Sequence, residues 1–167
     1  MRKIIYNGRV ITLVTEDRLL PNGVRTKVEI IEHPGAVVIV PFLADDKIIL
    51  LHQYRTTIKK FLYELPAGTL KEGEAMLRCA QRELIEETGY SGARFKKLGQ
   101  VYPVPGYATE VMTIFSARAL SPAYAAADAD EVIRVKIFTK LQLKELFKSG
   151  KIKDAKTICG LTMCGIL

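Results

Sequence analysis

The chain has 167 residues, a length that fits one compact domain able to bury a core without a disulfide or a structural metal. Hydrophobic residues make up 49% and charged residues 26%, which excludes a collagen-like or wholly disordered chain. The formal net charge of +7 favours anionic partners such as nucleotides, phosphate esters or nucleic acid. The longest mostly apolar stretch, residues 158–167, is about half as long as a membrane helix, so we do not expect an integral membrane protein.

The cysteines and the N-terminal segment indicate the compartment. Cys79, Cys159 and Cys164 form no zinc-binding pattern with the two histidines, His33 and His52. An odd number of cysteines is typical of reduced thiols, and the basic N-terminal segment has too short an apolar run for a signal peptide. We therefore expect a cytoplasmic protein that does not associate with a membrane.

Apolar patterns and turn signals predict a mixture of strands and helices. Short strands interrupted by turns at 7–8 and 21–23 precede a boundary at 31–35. The continuous apolar run at 36–42 predicts a buried central strand. Further strands are predicted at 47–54, 61–65, 96–102, 111–120 and 132–138, and helices at 74–88, 140–148 and 154–165. This order predicts an α/β fold in which a mixed β-sheet is sandwiched between α-helices.

The helix predicted at 74–88 carries three glutamates on one face. Glu83, Glu86 and Glu87 are spaced i, i+3 and i+4, so their Cβ atoms would lie about 5–6 Å apart. A divalent cation would relieve the repulsion, and oxygen ligands without nearby histidine favour Mg²⁺ or Mn²⁺ over zinc. The spacing alone also fits a solvated acidic face. Arg82 either pairs with Glu86 on the surface or orients a ligating carboxylate.

The residues around this helix resemble the signature of the Nudix hydrolases. The match consists of Gly68, Glu74 and the run Arg82-Glu83-Leu84-Ile85-Glu86-Glu87-Thr88-Gly89-Tyr90, in which Tyr90 takes the place of a more usual aliphatic residue. The resemblance implies the Nudix fold and cleavage of a diphosphate linked to another moiety, with Mg²⁺ or Mn²⁺ and water.

The same resemblance implies roles for the signature residues. Glu83 and Glu87 would be the main metal ligands, and Glu86 would be a further ligand or a base. Arg82 would orient the cluster, while the glycine and the first glutamate of the signature would shape the preceding loop. In this interpretation the helix carries the catalytic metal site.

Four other segments resemble the ADP-ribose pyrophosphatase branch of the family. They are Gln53-Tyr54-Arg55, Glu64-Leu65-Pro66-Ala67-Gly68, Pro103-Val104-Pro105-Gly106 with Glu110, and Asp154-Ala155-Lys156-Thr157. On that branch the backbone carbonyl of Ala67 would bind metal, Arg55 would pair with the diphosphate, and Glu64 and Glu110 would contact the substrate. The residues themselves also allow a surface ion pair for Arg55 and a simple rigid turn for the two prolines.

One loop departs from the branch pattern. The branch usually carries Asp-Glu-Asp-Glu before its late strand, whereas this chain has Asp128-Ala129-Asp130-Glu131. Ala129 therefore replaces the first glutamate, and Glu131 retains the second. We take Glu131 as the first choice for the catalytic base and Glu86 as the second. The alternative is that the acids of this loop are only solvated.

Together the resemblances predict Mg-dependent hydrolysis of a nucleoside diphosphate sugar, with ADP-ribose, giving AMP and ribose 5-phosphate, as the first choice. The alternatives are another nucleotide sugar such as GDP-mannose, a dinucleotide, or a non-catalytic nucleotide-sensing domain. Nucleic acid is not expected as a partner, because no extra RNA-binding segment accompanies the positive charge.

The resemblance also implies a division of the chain. Residues 1–33 would form a small antiparallel β-sheet that packs against, or swaps onto, a second subunit, and residues 34–167 would form the hydrolase domain. We therefore expect a homodimer.

Overall fold

The computed structural model describes residues 1–124 and 131–167. In these ranges the strands are β1 (Arg2–Asn7), β2 (Thr12–Leu19), β3 (Arg25–Glu32), β4 (Ala36–Ala44), β5 (Lys47–Arg55), β6 (Lys60–Glu64), β7 (Ala67–Thr69), β8 (Tyr90–Val101), β9 (Met112–Pro122) and β10 (Ile133–Thr139). The helices are α1 (Met76–Thr88), α2 (Lys140–Lys148) and α3 (Ala155–Met163). Within the described ranges, no helix combines the length and the apolar character needed to cross a membrane.

The first three strands form a separate antiparallel sheet in the order β1-β2-β3. The turns fall where the sequence predicts them: Gly8 N–H donates to Ile11 O at 2.9 Å, and Gly23 adopts a positive φ of 81°. The end of β3 is tied to the rest of the chain, because Ile31 N–H donates to Tyr107 O at 2.7 Å. The predicted small antiparallel sheet is thus confirmed.

The second sheet is mixed and holds the core. Its strands follow the order β10-β5-β4-β9-β8, with β6 paired to β5 and β7 paired to β4. The central strand β4 pairs in parallel with β9 and antiparallel with β5 and β7. Alternate side chains of β4 enter two different hydrophobic clusters, one against α1 and one against α2 and α3. Both faces of the sheet are therefore buried at β4, as the continuous apolar pattern of this strand predicts.

Several elements differ from the prediction. Helix α1 begins at Met76 with Ala75 as its N-cap, so Glu74 precedes the helix. Gly89, with φ at 73°, ends α1 at the predicted place, but β8 begins directly afterwards at Tyr90, whereas the strand was predicted to begin at 96. Strand β7 has only three residues and was not predicted, because a run this short carries no periodic pattern.

Helix α3 is anchored at its first turn. Asp154 caps the helix as predicted, accepting from Thr157 N–H at 3.0 Å. The Thr157 hydroxyl donates to Asp154 at 2.6 Å and accepts from the N–H of Leu65 at 2.7 Å. Thr157 is fully buried, so this hydroxyl joins α3 to the end of β6 where water has no access.

We expect Thr157→Val to lower the free energy of unfolding by about 1–3 kcal/mol, because it leaves the buried Leu65 N–H without an acceptor. Thr157→Ser keeps the hydroxyl and is the matched control, expected to remain closer to the wild type. Urea unfolding followed by circular dichroism measures both variants. Equal stability of Thr157→Val and the wild type would contradict the role given to this hydrogen bond.

Candidate active site

A pocket of about 1140 Å³ lies at the edge of the main sheet, beside α1. Its walls come from the end of β5, from β7 and the loop after it, from α1 and from the start of β10. Arg9 and Val10, from the turn between β1 and β2, complete the lining. A concave site of this size accommodates a ligand as large as a nucleotide.

Most of the predicted site residues meet in this pocket. Glu83, Glu86, Glu87 and Arg82 enter it from α1, Ala67 from β7, Arg55 from the end of β5, and Glu131 from the segment before β10. The pocket thus brings together residues that are far apart in the sequence. It places a cluster of carboxylates in one pocket with the guanidinium groups of Arg9, Arg55 and Arg82.

Arg82 organises the acidic side of the pocket. Its Nε and Nη2 donate to the two carboxylate oxygens of Glu74 at 2.9 and 3.0 Å. Its Nη1 donates to Glu83 at 2.6 Å and to Glu86 at 2.9 Å. The hydrogen bonds from Arg82 lower the pKa of Glu74 to about 2. Arg82 therefore does more than form a surface pair with Glu86, because it fixes the positions of three carboxylates.

Glu87 is the most buried carboxylate of the cluster, with 8% of its surface exposed. It accepts a hydrogen bond from Ala67 N–H at 2.9 Å. Burial raises the pKa of Glu87 to about 8, and the charges of Glu131 and Glu83 act in the same direction. Burial also raises the pKa of Glu83. The helix thus holds two carboxylates whose negative charge is unfavourable in this environment.

Gly68 is required by a close approach of side chain to backbone. A Cβ atom at this position would lie 1.9 Å from both Cδ and Oε1 of Glu83. The glycine therefore lets β7 pass directly over the Glu83 carboxylate, which explains in physical terms why the signature begins with this residue.

Arg55 and Glu64 form an ion pair with each other. Nε and Nη2 of Arg55 donate to the two oxygens of Glu64 at 2.8 and 2.6 Å. Glu64 is 1% exposed and also contacts Lys156. It lines a second recess of about 320 Å³, which shares Arg55 and Thr57 with the main pocket. The surface ion pair considered for Arg55 is thus replaced by a pair with a buried carboxylate.

Glu64 and Glu110 are not among the described residues that line the main pocket. Glu110 belongs to the loop between β8 and β9, whose backbone binds the end of β3. Its Oε1 lies 3.8 Å from Nδ1 of His33. Direct contact of these two glutamates with a substrate stays a prediction. Asp128, Ala129 and Asp130 lie outside the described residues, so the departure from the branch pattern is assessed only through Glu131.

Sequence reasoning missed two contributions to the pocket. Gln53 lies two residues before Arg55 on β5 and is 4% exposed, and its side-chain oxygen has no hydrogen-bond partner within the described chain. Strand alternation places Gln53 on the same face as Arg55, so the period-two pattern was an available signal. Arg9 reaches the pocket through tertiary packing alone, and no local pattern indicates it.

The chemistry of the acidic cluster fits a hard divalent cation. All donors are oxygens, and two of the carboxylates are buried with raised pKa values, so a cation would offset their repulsion. Across residues 1–124 and 131–167, no three His, Cys, Asp or Glu side chains are arranged as a metal site. Arg82 and the Ala67 N–H hold the carboxylates instead.

The site combines a helix with three acidic side chains on its pocket face, a glycine that admits one of them and an arginine that lines the same pocket. Such a combination is typical of a metal-assisted hydrolase. The chain belongs to the Nudix family, because the family model described as NUDIX domain matches residues 32–160. The predicted family is thereby confirmed, and with it the prediction that the protein is a Nudix hydrolase.

Two curated relatives match most of the chain. An ADP-ribose pyrophosphatase of Bacillus subtilis (strain 168) is 39% identical over 155 residues, which cover 92% of this chain and 84% of the relative. A methanol dehydrogenase activator of Bacillus methanolicus is 38% identical over 156 residues, with the same two coverages.

A more distant relative and a solved structure agree with this assignment. An ADP-ribose pyrophosphatase of Escherichia coli (strain K12) is 32% identical and matches 80% of this chain and 68% of its own length. The crystal structure of an ADP compounds hydrolase is 25% identical, has a TM-score of 0.84, and is matched over 98% of this chain and 89% of that one. The predicted Nudix fold is confirmed by this likeness.

Proposed function

We propose that the protein hydrolyses the diphosphate bond of a nucleoside diphosphate sugar, with ADP-ribose as the substrate and AMP and ribose 5-phosphate as products. The observation that carries this proposal is the pocket that Glu83, Glu86 and Glu87 line together with Arg55. Such a pocket offers oxygen ligands for a cation and, for a diphosphate, the N–H groups of Arg55 that Glu64 does not use. The ADP-ribose pyrophosphatases among the relatives support the choice of substrate.

The metal would be Mg²⁺ or Mn²⁺, held by Glu83, Glu86, Glu87 and the backbone carbonyl of Ala67. When bound, it supplies charge neutralisation of the diphosphate and activation of the attacking water. Arg82 keeps Glu83 and Glu86 in place for this task through its two hydrogen bonds from Nη1. The N–H of Ala67 fixes the Glu87 carboxylate in the same way.

The remaining steps belong to the chain's own side chains. Arg55 binds the diphosphate and orients it toward the acidic helix. Water attacks one phosphorus atom, the bond from that phosphorus to the bridging oxygen breaks, and a carboxylate accepts the proton of the water. Glu131 is our first choice for this base, because it lines the pocket close to the acidic cluster. Its closeness is evident from its charge, which contributes to the raised pKa values of Glu83 and Glu87. Glu86 is the second choice, since it is the most exposed of the three glutamates on the helix.

The test is turnover of a substrate panel containing ADP-ribose, GDP-mannose and a dinucleotide, measured as phosphate released in a phosphatase-coupled assay. We expect ADP-ribose to give the highest kcat/KM with Mg²⁺ and no turnover with EDTA. Faster turnover of another compound would overturn the substrate while keeping the site chemistry. Binding of ADP-ribose without turnover of any compound would overturn catalysis and favour a nucleotide-sensing domain. The panel is decisive because an ADP-ribose pyrophosphatase and a methanol dehydrogenase activator are almost equally identical to this chain, at 39% and 38%.

We propose further that the protein is a homodimer formed through residues 1–33. The small sheet exposes many large apolar side chains: Ile4, Ile5, Tyr6, Val10, Ile11, Leu19, Leu20 and Val24. An apolar surface of this kind on a folded domain indicates an interface, and a second copy of the chain is the partner that the family resemblance implies. This sheet also supplies Arg9 and Val10 to the pocket, so assembly and substrate binding would involve the same segment.

Light scattering is expected to give about twice the chain mass of 18.6 kDa. Leu19→Lys should shift the protein toward the monomer, because it places a charge among the exposed apolar side chains of the small sheet. Leu141→Lys is the matched control, since Leu19 is 65% exposed and Leu141, on α2, is 67% exposed. A wild-type mass of one chain, or equal effects of the two substitutions, would overturn the proposed interface.

We also infer a cytoplasmic location. The structure leaves Cys79, Cys159 and Cys164 as free thiols, and Cys79 is buried. Free thiols persist in a reducing compartment. The location is tested by fractionating cells that express the protein.

A further inference from the structure

A chain of four alternating charges connects the pocket to helix α3. Arg55 pairs with Glu64 through two hydrogen bonds, and Glu64 also contacts Lys156. The Nζ of Lys156 lies 3.0 Å from Oδ2 of Asp154, the residue that caps α3. This arrangement accounts for two residues of the Asp-Ala-Lys-Thr segment, for which the catalytic scheme has no use.

The middle of this chain is buried. Glu64 is 1% exposed, and the side chain of Lys156 is 9% exposed. Burial acts to raise the pKa of Glu64, but Arg55 and Lys156 together hold that pKa below its usual value. The carboxylate is therefore ionised and depends on both cations, since an uncompensated charge at such a site is strongly unfavourable.

The balance of these charges affects Arg55. With Lys156 present, two cations and two carboxylates compensate each other, and Glu64 divides its charge between two partners. Without the charge of Lys156, the carboxylates of Glu64 and Asp154 would have only the Arg55 guanidinium to compensate them. Arg55 would then be drawn more tightly to Glu64, and its attraction for a diphosphate in the pocket would fall.

We propose that Lys156 is a positioning residue that acts through Glu64 to hold Arg55 available for the diphosphate. This inference rests on the proposed function only in taking a diphosphate as the group that Arg55 binds. It assigns to α3 a part in substrate affinity, although the helix supplies no residue to the main pocket within the described chain.

The first test compares three substitutions at Lys156. Lys156→Met removes the charge, Lys156→Gln keeps a hydrogen-bond donor for Glu64 without the charge, and Lys156→Arg keeps the charge. We expect the two neutral variants to raise KM for ADP-ribose about tenfold with little change in kcat, and Lys156→Arg to restore KM. Thr157→Val is the structural control, because it weakens the same turn of α3 without changing any charge.

An unchanged KM in both neutral variants, with a loss of thermal stability like that of Thr157→Val, would overturn the proposal and leave Lys156 as a structural contact only. If Lys156→Met does not fold, Lys156→Gln decides, because it keeps a hydrogen bond to Glu64. Restoration of KM by Lys156→Arg supports a role of the charge, and a KM that stays raised in this variant contradicts it.

A second measurement separates an effect through Arg55 from a general change of the local field. Arg55→Met and Lys156→Met are combined, and the effects on KM are compared in a double-mutant cycle. Action through Arg55 predicts that Lys156→Met adds little once Arg55 is gone. Additive effects would overturn the proposal.

Calorimetric titration with ADP keeps this proposal distinct from the proposed function. The dissociation constant for ADP should rise about tenfold in the two neutral Lys156 variants, whether or not ADP-ribose is hydrolysed. If the wild type binds ADP but does not hydrolyse ADP-ribose, the proposed function fails while the Lys156 proposal is still tested. An ADP affinity equal to that of the wild type in both neutral variants would overturn it.

Discussion

Glu87→Gln is expected to remove most of the turnover and, in the absence of metal, to make the protein more stable at pH 8. The loss of turnover should be on the order of 10²–10³-fold, because a neutral amide is a poor ligand for a hard cation and cannot balance its charge. The gain in stability has a separate cause, since the Glu87 carboxylate is buried close to Glu83 and Glu131. The two effects therefore have opposite signs in the same variant.

The sign of the stability effect follows from the raised pKa. Glu87 has a pKa of about 8 in the folded chain, whereas the ordinary pKa of a glutamate is 4.5. The folded state therefore holds this proton more tightly than the unfolded state, and stability falls as the pH rises from about 4.5 to about 8. Glutamine does not titrate, and its amide oxygen still accepts from Ala67 N–H. The free energy of unfolding of the variant therefore rises relative to that of the wild type as the pH increases, by a few kcal/mol at most.

Thermal unfolding in EDTA at pH 5 and pH 8 measures this gain, and titration with Mn²⁺ measures the loss of metal affinity. Glu72→Gln is the control, because Glu72 also lines the pocket but is exposed. We expect the control to retain activity and to show no comparable gain at pH 8. Turnover of Glu87→Gln near the wild-type rate would refute the metal assignment. If the difference in melting temperature between Glu87→Gln and the wild type is the same at pH 5 and pH 8, the raised pKa of Glu87 is refuted.

The sequence predicted the elements that carry a strong local pattern. The apolar run of β4, the amphipathic spacing of α1 and the Asp154 cap of α3 lie within a residue or two of the predicted positions. Each of these signals comes from neighbouring residues, so it survives without knowledge of the tertiary fold. The face of α1 that bears Glu83, Glu86 and Glu87 was predictable for the same reason.

The pairing of charges could not be predicted in this way. Arg55 and Glu64 are separated by 9 residues, and Glu64 and Lys156 by 92, so strand pairing and helix packing decide which groups meet. The family resemblance named Arg55 and Glu64 as substrate-binding residues, but it did not indicate that they bind each other. Glu74 shows the same limit: a helical position was expected, whereas its carboxylate lies before α1 and accepts from Arg82.

Gly68→Ala is expected to lower kcat/KM for ADP-ribose on the order of a hundredfold, because it displaces the Glu83 carboxylate. The added Cβ would lie 1.9 Å from Cδ and 2.5 Å from Cγ of Glu83, so the side chain must leave its place. Glu83 is held by a hydrogen bond of 2.6 Å from Arg82, and any movement away from Gly68 strains or breaks that contact. One methyl group thus acts directly on a predicted metal ligand.

Gly106→Ala is the matched control, because a Cβ at Gly106 meets no atom within 4 Å. It should retain wild-type activity and Mn²⁺ affinity, whereas Gly68→Ala should lose both with only a small fall in melting temperature. Steady-state kinetics, Mn²⁺ titration and thermal unfolding of the two variants supply the comparison. If Gly68→Ala kept its Mn²⁺ affinity but lost turnover, Glu83 would act on the substrate rather than on the metal. If it kept both, the position of the Glu83 carboxylate against β7 would have no part in the reaction, and the metal site would have to be built from Glu86, Glu87 and Glu131.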